Sequence, residues 1–470
     1  KLIIARSFSA KKVAVMGLAR SGKAAVSSLV LGGARVLAWD DNPKRREEIS
    51  GVGVKIRDLH DINFKDLDAL VLSPGIPHSF PKPHPVAAKA KTFGVPIIGD
   101  IDILAKNAKN IPIIGITGTN GKSTTTSLVG HVLSYSNISN EVAGNIGRPV
   151  LEISSDPRPD FIVLELSSYQ LELSPSLGCS IAVLLNITPD HLDRHGGMDG
   201  YVRAKRRIFD KLIYDPKIII GIDDEITRSI YRQLKYETDF LVIPISGYQI
   251  PENGVGVKSG NLRSQLPGMP KCEINLNEIK TLIGGHNHQN AAAAVAIALS
   301  LGVEQPEIEC ALQCFKGLPH RQELVREVFG INFINDSKAT NFNAAERALS
   351  SFTSIYWIAG GLSKNERVTA SFFKKLENVE HAFLIGSSEN EFFDAFKNST
   401  PCTKCSNLEI AVKKAALAAC NEKKENPVVL LSPAAASFDQ FESYEERGDQ
   451  FRSIVGSLNV EKFSNWETTT

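Results

Sequence analysis

Apolar residues in this chain fall into short, nearly unbroken runs. Each run is followed by a polar, glycine-bearing loop and then by a stretch of helical periodicity, the pattern of strands buried on both faces. The first group opens at residues 13–16, passes Gly17-Leu18-Ala19-Arg20-Ser21-Gly22 and predicts a helix to Leu31. Strands are also predicted at 34–39, ending in Asp40-Asp41, and at 69–72, ending in Ser73-Pro74-Gly75. This alternation gives out near Gly99. A second group comprises a strand at 111–116, a helix to about Ser134, strands at 161–166 and 181–186, and an alanine-rich helix at 291–301 stopped by Gly302. After Gly317-Leu318-Pro319-His320 the pattern repeats, with strands at 331–334, 355–359, 382–385 and 428–431. Strand and helix in alternation mean parallel sheets covered by helices. The expectation is an α/β chain of three domains, 1–100, 101–317 and 318–470. The outer two are expected to be Rossmann-like and the central one of the P-loop ATPase type.

Bulk properties narrow the function more than the fold. A length of 470 residues exceeds what one core supports, in keeping with several domains. Lys and Arg total 53 against 52 for Asp and Glu, a net charge of +1 that gives no reason to expect nucleic acid or a membrane surface as partner. The densest basic cluster, Arg203-Ala204-Lys205-Arg206-Arg207, reads as a solvated helix face, with Lys205 the exception taken up below. Seven scattered cysteines point to a reducing compartment, and cytoplasmic location is the expectation. Cys402-Thr403-Lys404-Cys405 has CxxC spacing but no second pair, so it is read as neither zinc site nor redox couple. No apolar run approaches the ~20 residues of a membrane span, and the opening residues lack a signal-peptide core. The chain begins with Lys1 and not methionine, so the expectation is a natural start upstream.

In parallel sheets ligands bind at the carboxyl ends of strands, so chemistry is sought in those loops. The strongest local signal is Gly115-Ile-Thr-Gly118-Thr119-Asn120-Gly121-Lys122-Ser123-Thr124. Glycines after a strand let backbone N–H groups converge on phosphate, and the helix that follows adds its positive end. Lys122 suits the terminal phosphates, and Ser123 or Thr124 suits Mg²⁺. The strict P-loop pattern misses by one place, because its first glycine is at 115 and Ile116 follows. Glu165 ends the next predicted strand, where an acid holds Mg²⁺ beside a triphosphate. His191 and His195 lie four apart in Asn186–Asp193 and its continuation, yet Pro189 and Gly196-Gly197 oppose a long zinc-binding helix. An imidazole lining a Mg²⁺ site is the better reading of His191, with a structural histidine as the alternative. Gly17-x-Ala19-x-x-Gly22, with Asp40 downstream, imitates the dinucleotide fingerprint, but Ala19 disfavours the close approach NAD needs.

Taken together, Gly118–Thr124, Glu165-Leu-Ser-Ser168, the Asn186 loop, Gly285-His286-Asn287-His-Gln-Asn290, His320-Arg321 and Asn335-Asp336-Ser-Lys338-Ala-Thr340-Asn341 resemble the Mur ligase family over essentially the whole chain. The segment from Ser432 through Ser437, Tyr444 and Arg447 resembles its D-glutamate-adding branch. The resemblance implies an ATP-dependent ligase of peptidoglycan synthesis that phosphorylates the L-alanyl carboxylate of UDP-N-acetylmuramoyl-L-alanine and gives the acyl group to D-glutamate. It implies a monomer working with ATP and two Mg²⁺ ions. Catalysis falls to Lys122, His191 and Lys205, and the metals to Ser123, Glu165, His191 and Lys205, the last at the family's carbamylated position. ATP contacts fall to Gly118, Thr119, Asn120, Gly121, Lys122, Ser123, Thr124, Asn287, Asn290, Arg321 and Asp336. The UDP-sugar falls to Gly17, Leu18, Ala19, Arg20, Asp40, Gly75 and Asn145, and D-glutamate to Thr340, Lys364, Ser437 and Tyr444. A folylpolyglutamate-type ligase, a mechanical ATPase and an NAD oxidoreductase are the competing readings.

Overall fold

The computed structural model describes residues 2–49, 53–154, 156–282, 284–363 and 368–458. Two compact units divide the chain, Lys1–Phe315 and Lys316–Thr470. The first contains two sheets.

The amino-terminal sheet is built from β1 (Lys12–Met16), β2 (Arg35–Trp39), β3 (Lys55–Ile56), β4 (Ala69–Leu72) and β5 (Ile97–Ile98), in the order β3-β2-β1-β4-β5. All its pairings are parallel. Complete burial of Val13–Met16 in β1 and of all of β4 explains their unbroken apolar sequence, since helices cover both faces.

The central sheet contains β6 (Ile113–Thr117), β7 (Asn140–Gly144), β8 (Phe161–Glu165), β9 (Cys179–Leu184), β10 (Leu212–Gly221), β11 (Leu241–Ser246), β12 (Val255–Lys258), β13 (Asn261–Ser264) and β14 (Glu273–Asn275). Its order is β14-β13-β12-β11-β10-β9-β6-β8-β7. The sheet is parallel from β7 to β12, but β12, β13 and β14 form an antiparallel edge. That edge departs from the purely alternating pattern expected from sequence. Its strands are short and half-exposed, as in Asn261–Ser264, and they give no long apolar run to find. One apolar cluster joins Val13, Val15 and Val71 of the first sheet to Ile113, Ile162 and Leu164 of the second. The two sheets therefore share a core.

The second unit holds β15 (Glu323–Val328), β16 (Ile331–Asn335), β17 (Ile355–Gly360), β18 (Val379–Ile385), β19 (Cys402–Ser406) and β20 (Val428–Leu431), ordered β15-β16-β20-β17-β18-β19. β15 runs antiparallel to β16 and the other pairings are parallel. Cys402 and Cys405 fall on β19, where residues three apart point to opposite faces. Cys402 packs against the core on one face and Cys405 belongs to that on the other. Burial pushes both thiols up to about 11. They are not a metal or redox pair. No described helix is long and apolar enough to cross a membrane.

Candidate active site

β6 lies between β8 and β9, with Ile116 opposite Glu165 and Thr117 opposite Leu184. This placement brings the loop after β6 between Glu165 and the Asn186 turn. The loop runs from Gly118 to Gly121 and enters the helix Lys122–Tyr135. Asn186 clamps it: its carbonyl accepts from the Thr119 amide at 2.8 Å, its Oδ1 accepts from the Asn120 amide at 2.8 Å, and its Nδ2 donates to Asn120 O at 3.2 Å. Gln289 holds that carboxamide from behind, accepting from Asn186 Nδ2 at 3.0 Å.

Gly121 has φ +81°, a left-handed conformation that favours glycine. A Cβ there would stand 2.3 Å from Asn290 Oδ1. Asn290, on the helix Gly285–Ser300, therefore sits directly against the phosphate loop. Its Oδ1 accepts from Thr125 Oγ1 at 3.1 Å and its Nδ2 donates to Asn287 Oδ1 at 3.2 Å.

Lys122 and Lys205 meet at one carbonyl. Their Nζ atoms donate to Gly118 O at 2.9 and 2.7 Å, and Lys122 also donates to Thr119 O at 2.9 Å. Lys205 lies on the helix Met198–Arg206 and is 1% exposed, whereas Arg203 beside it faces solvent. Burial, and then the like charge of Lys122, hold the Lys205 amine well below the usual lysine range, against the pull of Asp190 and Glu165. Tyr201 lies under Lys205, with Nζ 4.7 Å from the ring centroid, and its hydroxyl meets Thr119 Oγ1 at 3.1 Å.

Glu165 is 1% exposed. Its Oε1 accepts from Asn145 Nδ2 at 3.1 Å, while its buried Oε2 has no hydrogen-bond partner among the described residues. Ser123 and Thr124 are buried in the first turn of the loop's helix. His191 takes a left-handed conformation, stands half-exposed with Nε2 3.5 Å from Asp190 Oδ2, and lies against Tyr169. His195 does not join it as a ligand pair. Its ring is buried, with Nε2 2.9 Å from Ser168 Oγ and Nδ1 3.3 Å from Glu172 Oε1.

In the amino-terminal sheet, Gly17 has φ +93°, and a Cβ would meet Ser73 Oγ at 2.6 Å. Buried Leu18 donates its amide to Asp40 Oδ2 at 2.7 Å, and the Asn42 amide takes Oδ1 at 2.8 Å. Both oxygens of the acid that a dinucleotide fold would turn to a ribose are thus engaged by backbone. Ala19 precedes the helix Arg20–Leu31, and Arg20 and Gly75 are exposed. Gly75 O accepts from Arg194 Nη1 at 3.2 Å. Asn145 belongs to the central sheet, beside Glu165 and after β7.

Within the second unit, Asp336 follows β16 and accepts from Ser432 Oγ at 2.8 Å and the Gln322 amide at 3.2 Å. Burial raises its carboxyl to about 7, although those hydrogen bonds and Arg321 oppose the rise. Ser337 Oγ donates to Tyr444 O at 2.8 Å, and Lys338 Nζ lies 5.5 Å from the Tyr444 ring centroid. Thr340 is half-buried on that loop and Ser437 is buried after β20. Lys364 lies outside the described residues.

Arg447, in the segment that resembles the D-glutamate-adding branch, has no role legible from sequence. It is completely buried, donating from Nε to Ser337 Oγ at 3.0 Å, from Nη2 to Ser337 O at 2.9 Å and from Nη1 to Ala435 O at 3.2 Å. It pins the loop after β16 to the loop after β20. A charged residue on a helix whose neighbours Gly448, Phe451 and Val455 are buried was the available signal.

The Mur ligase middle domain matches residues 116–298, the span from β6 through the helix that carries Asn287 and Asn290. A UDP-N-acetylmuramoylalanine–D-glutamate ligase of Rhodospirillum rubrum is 46% identical over 463 residues, covering 97% of each chain. Among solved structures, a UDP-N-acetylmuramate–alanine ligase from Thermotoga maritima aligns with TM-score 0.53 at 17% identity, covering 95% of this chain and 99% of its own. A MurF ligase of the same organism, solved with ADP, aligns with TM-score 0.52 at 17% identity, covering 85% and 99%. The last two speak for the fold; the identity and coverage of the first settle membership, and the chain belongs to the Mur ligase family, in its UDP-N-acetylmuramoylalanine–D-glutamate ligase branch.

Proposed function

We propose that this chain joins D-glutamate to UDP-N-acetylmuramoyl-L-alanine at the expense of ATP, releasing ADP and phosphate in peptidoglycan precursor synthesis. A free carboxylate resists amide formation because oxide is a poor leaving group. In the proposed route a carboxylate oxygen of the L-alanyl group attacks the γ-phosphorus and the bond to ADP breaks. The D-glutamate amine then attacks the acyl carbon, loses a proton, and the tetrahedral species expels phosphate. Little covalent work falls to the protein, so positioning and charge decide the rate.

The observation that carries this reading is the convergence of Lys122 and Lys205 on Gly118 O between Glu165 and Asn186. Lys122 would lie along the terminal phosphates, and Gly118–Thr124 would cradle them. The unpartnered, buried Oε2 of Glu165 fits a divalent ion, because a buried carboxylate oxygen is costly without compensation. Ser123 and Glu165 would hold one Mg²⁺, and His191 with a carbamylated Lys205 a second; bound, these ions supply positive charge against the phosphoryl oxygens. A depressed amine suits carbamylation, since CO₂ adds to the neutral form. The N–C bond forms, a proton leaves, and the product turns repulsion toward Lys122 into attraction.

We assign the divisions 1–100, 101–317 and 318–470 to UDP-sugar, ATP and amino acid. Gly17, Leu18, Ala19, Arg20, Asp40, Gly75 and Asn145 are assigned to the UDP-sugar. Asn287, Asn290, Arg321 and Asp336 are assigned to ATP, and Thr340, Lys364, Ser437 and Tyr444 to D-glutamate.

The test is phosphate release from ATP with each substrate supplied singly and in pairs. Release is expected only with UDP-N-acetylmuramoyl-L-alanine and D-glutamate together. Release without any amino acid, or faster release with meso-diaminopimelate than with D-glutamate, overturns the assignment.

A further inference from the structure

The first unit carries a cluster of ligating side chains that the ligase reading leaves unused. Asp41 follows β2, His60 lies beyond β3, and His84 precedes the helix Pro85–Thr92. One candidate ligand atom from each lies within 4.8 Å of the other two. His84 Nε2 is 3.1 Å from Asp41 Oδ2, and the two imidazole rings are tilted at 51° with centroids 5.6 Å apart. Two ligands about 2.1 Å from one ion stand about 3.0 Å apart at right angles and about 3.4 Å apart at the tetrahedral angle, a range that includes the Asp41–His84 distance. The Asp41–His84 pair thus already has chelating spacing.

Two of the three ligands, His60 and Asp41, are also oriented from behind. Asp58 Oδ1 accepts the Nδ1 hydrogen of His60 at 2.7 Å, which fixes the tautomer and leaves the Nε2 lone pair available. A carboxylate behind a histidine is the arrangement that aims and strengthens metal-bound imidazoles. Lys89 Nζ donates to His60 O at 2.6 Å, tying that loop to the helix that His84 caps. Trp39 Nε1 donates to Asp41 Oδ1 at 3.2 Å, leaving Oδ2 toward His84.

We propose that Asp41, His60 and His84 form a binding site for a divalent transition ion of the zinc class. Two imidazoles with one carboxylate favour Zn²⁺, Co²⁺, Ni²⁺ or Cu²⁺ over Mg²⁺ and Ca²⁺, which prefer oxygen shells. The Asp41 side chain is 60% exposed, so the remaining coordination positions fall to water. One local bond opposes occupancy. Val86 donates its amide to His84 Nδ1 at 3.3 Å, and an ion on Nε2 requires the proton on Nδ1 instead. The site is therefore exchangeable, weaker than a closed four-ligand zinc centre.

The experiment is Co²⁺ titration of the intact, metal-stripped enzyme, followed by visible absorption. Saturating Mg²⁺ and a non-hydrolysable ATP analogue occupy the phosphate-loop region throughout. One equivalent of Co²⁺ is expected, displaced by Zn²⁺ but not by excess Mg²⁺. The His60→Ala and His84→Ala variants should lose that equivalent while keeping D-glutamate-dependent ATP turnover. Asp58→Asn keeps all three ligands and should weaken binding about tenfold, which gives a second reading should the histidine variants fold poorly. Absence of the equivalent from the wild type, its survival in the double histidine variant, or unchanged affinity in Asp58→Asn overturns the proposal.

Discussion

Replacing Gly121 by alanine tests whether the phosphate loop depends on the asparagine packed against it. The new methyl meets two obstacles. An L-residue at φ +81° is strained by about 1–2 kcal/mol. Its Cβ also falls 2.3 Å from Asn290 Oδ1, so Asn290 must swing away and give up its bonds with Thr125 and Asn287. Those two bonds contribute about 1 kcal/mol each. If the free loop relaxes and binding must restore the native geometry, Gly121→Ala weakens a non-hydrolysable ATP analogue by about 3 kcal/mol, roughly two orders of magnitude. In an Asn290→Ala background the collision and both bonds are already gone. There the same glycine substitution costs only the backbone strain, about tenfold. Calorimetric titration of the wild type, the two single variants and the double variant closes a cycle whose coupling energy should be about 2 kcal/mol. Effects that add within about 0.5 kcal/mol would refute the coupling.

Lys205→Ala should abolish most ligase turnover and recover part of it with added short-chain carboxylic acids; full activity without rescue would remove Lys205 from the chemistry. Asp336 titrates near 7 in the native protein against 3.8 as a free side chain, so the native state binds that proton more tightly than the unfolded chain. Its contribution to stability is complete below about pH 4 and is withdrawn as pH rises to about 7; Asp336→Asn should flatten that part of the melting-temperature profile, and parallel profiles would contradict the burial argument. Lys364→Ala should raise the KM for D-glutamate by about two orders of magnitude with little change in that for ATP, as expected when one partner of a desolvated charge pair is lost. Ser437→Ala should do the same more mildly, and an equal rise in both KM values would take these residues out of the amino-acid pocket.

The sequence determined what is local. Strand, glycine turn, lysine and helix follow one another within residues 113–135, and a single-chain motif fixes its own geometry through backbone conformation. The apolar runs at β1, β4, β6 and β20 were equally legible, because burial on both faces leaves few polar positions. Acidic Glu165 at a strand end was visible for the same reason. The tertiary structure decided everything that depends on which strands become neighbours. Placing β6 between β8 and β9 puts Glu165 and Asn186 on either side of the loop. Asn290 reaches Gly121 from 169 positions away, a contact no periodicity announces. Helical spacing in the 203–207 cluster could not tell which cation turns inward, and packing over Tyr201 buried Lys205 and depressed its amine. His191 and His195 looked alike in sequence, yet Ser168 and Glu172 claim both nitrogens of the second alone. The CxxC spacing, read from sequence as neither zinc site nor redox couple for want of a second pair, lies on a strand whose pleat sends the two sulfurs to opposite faces. Local backbone chemistry is written in consecutive residues, whereas burial and partnership are set by strand order, which consecutive residues do not encode.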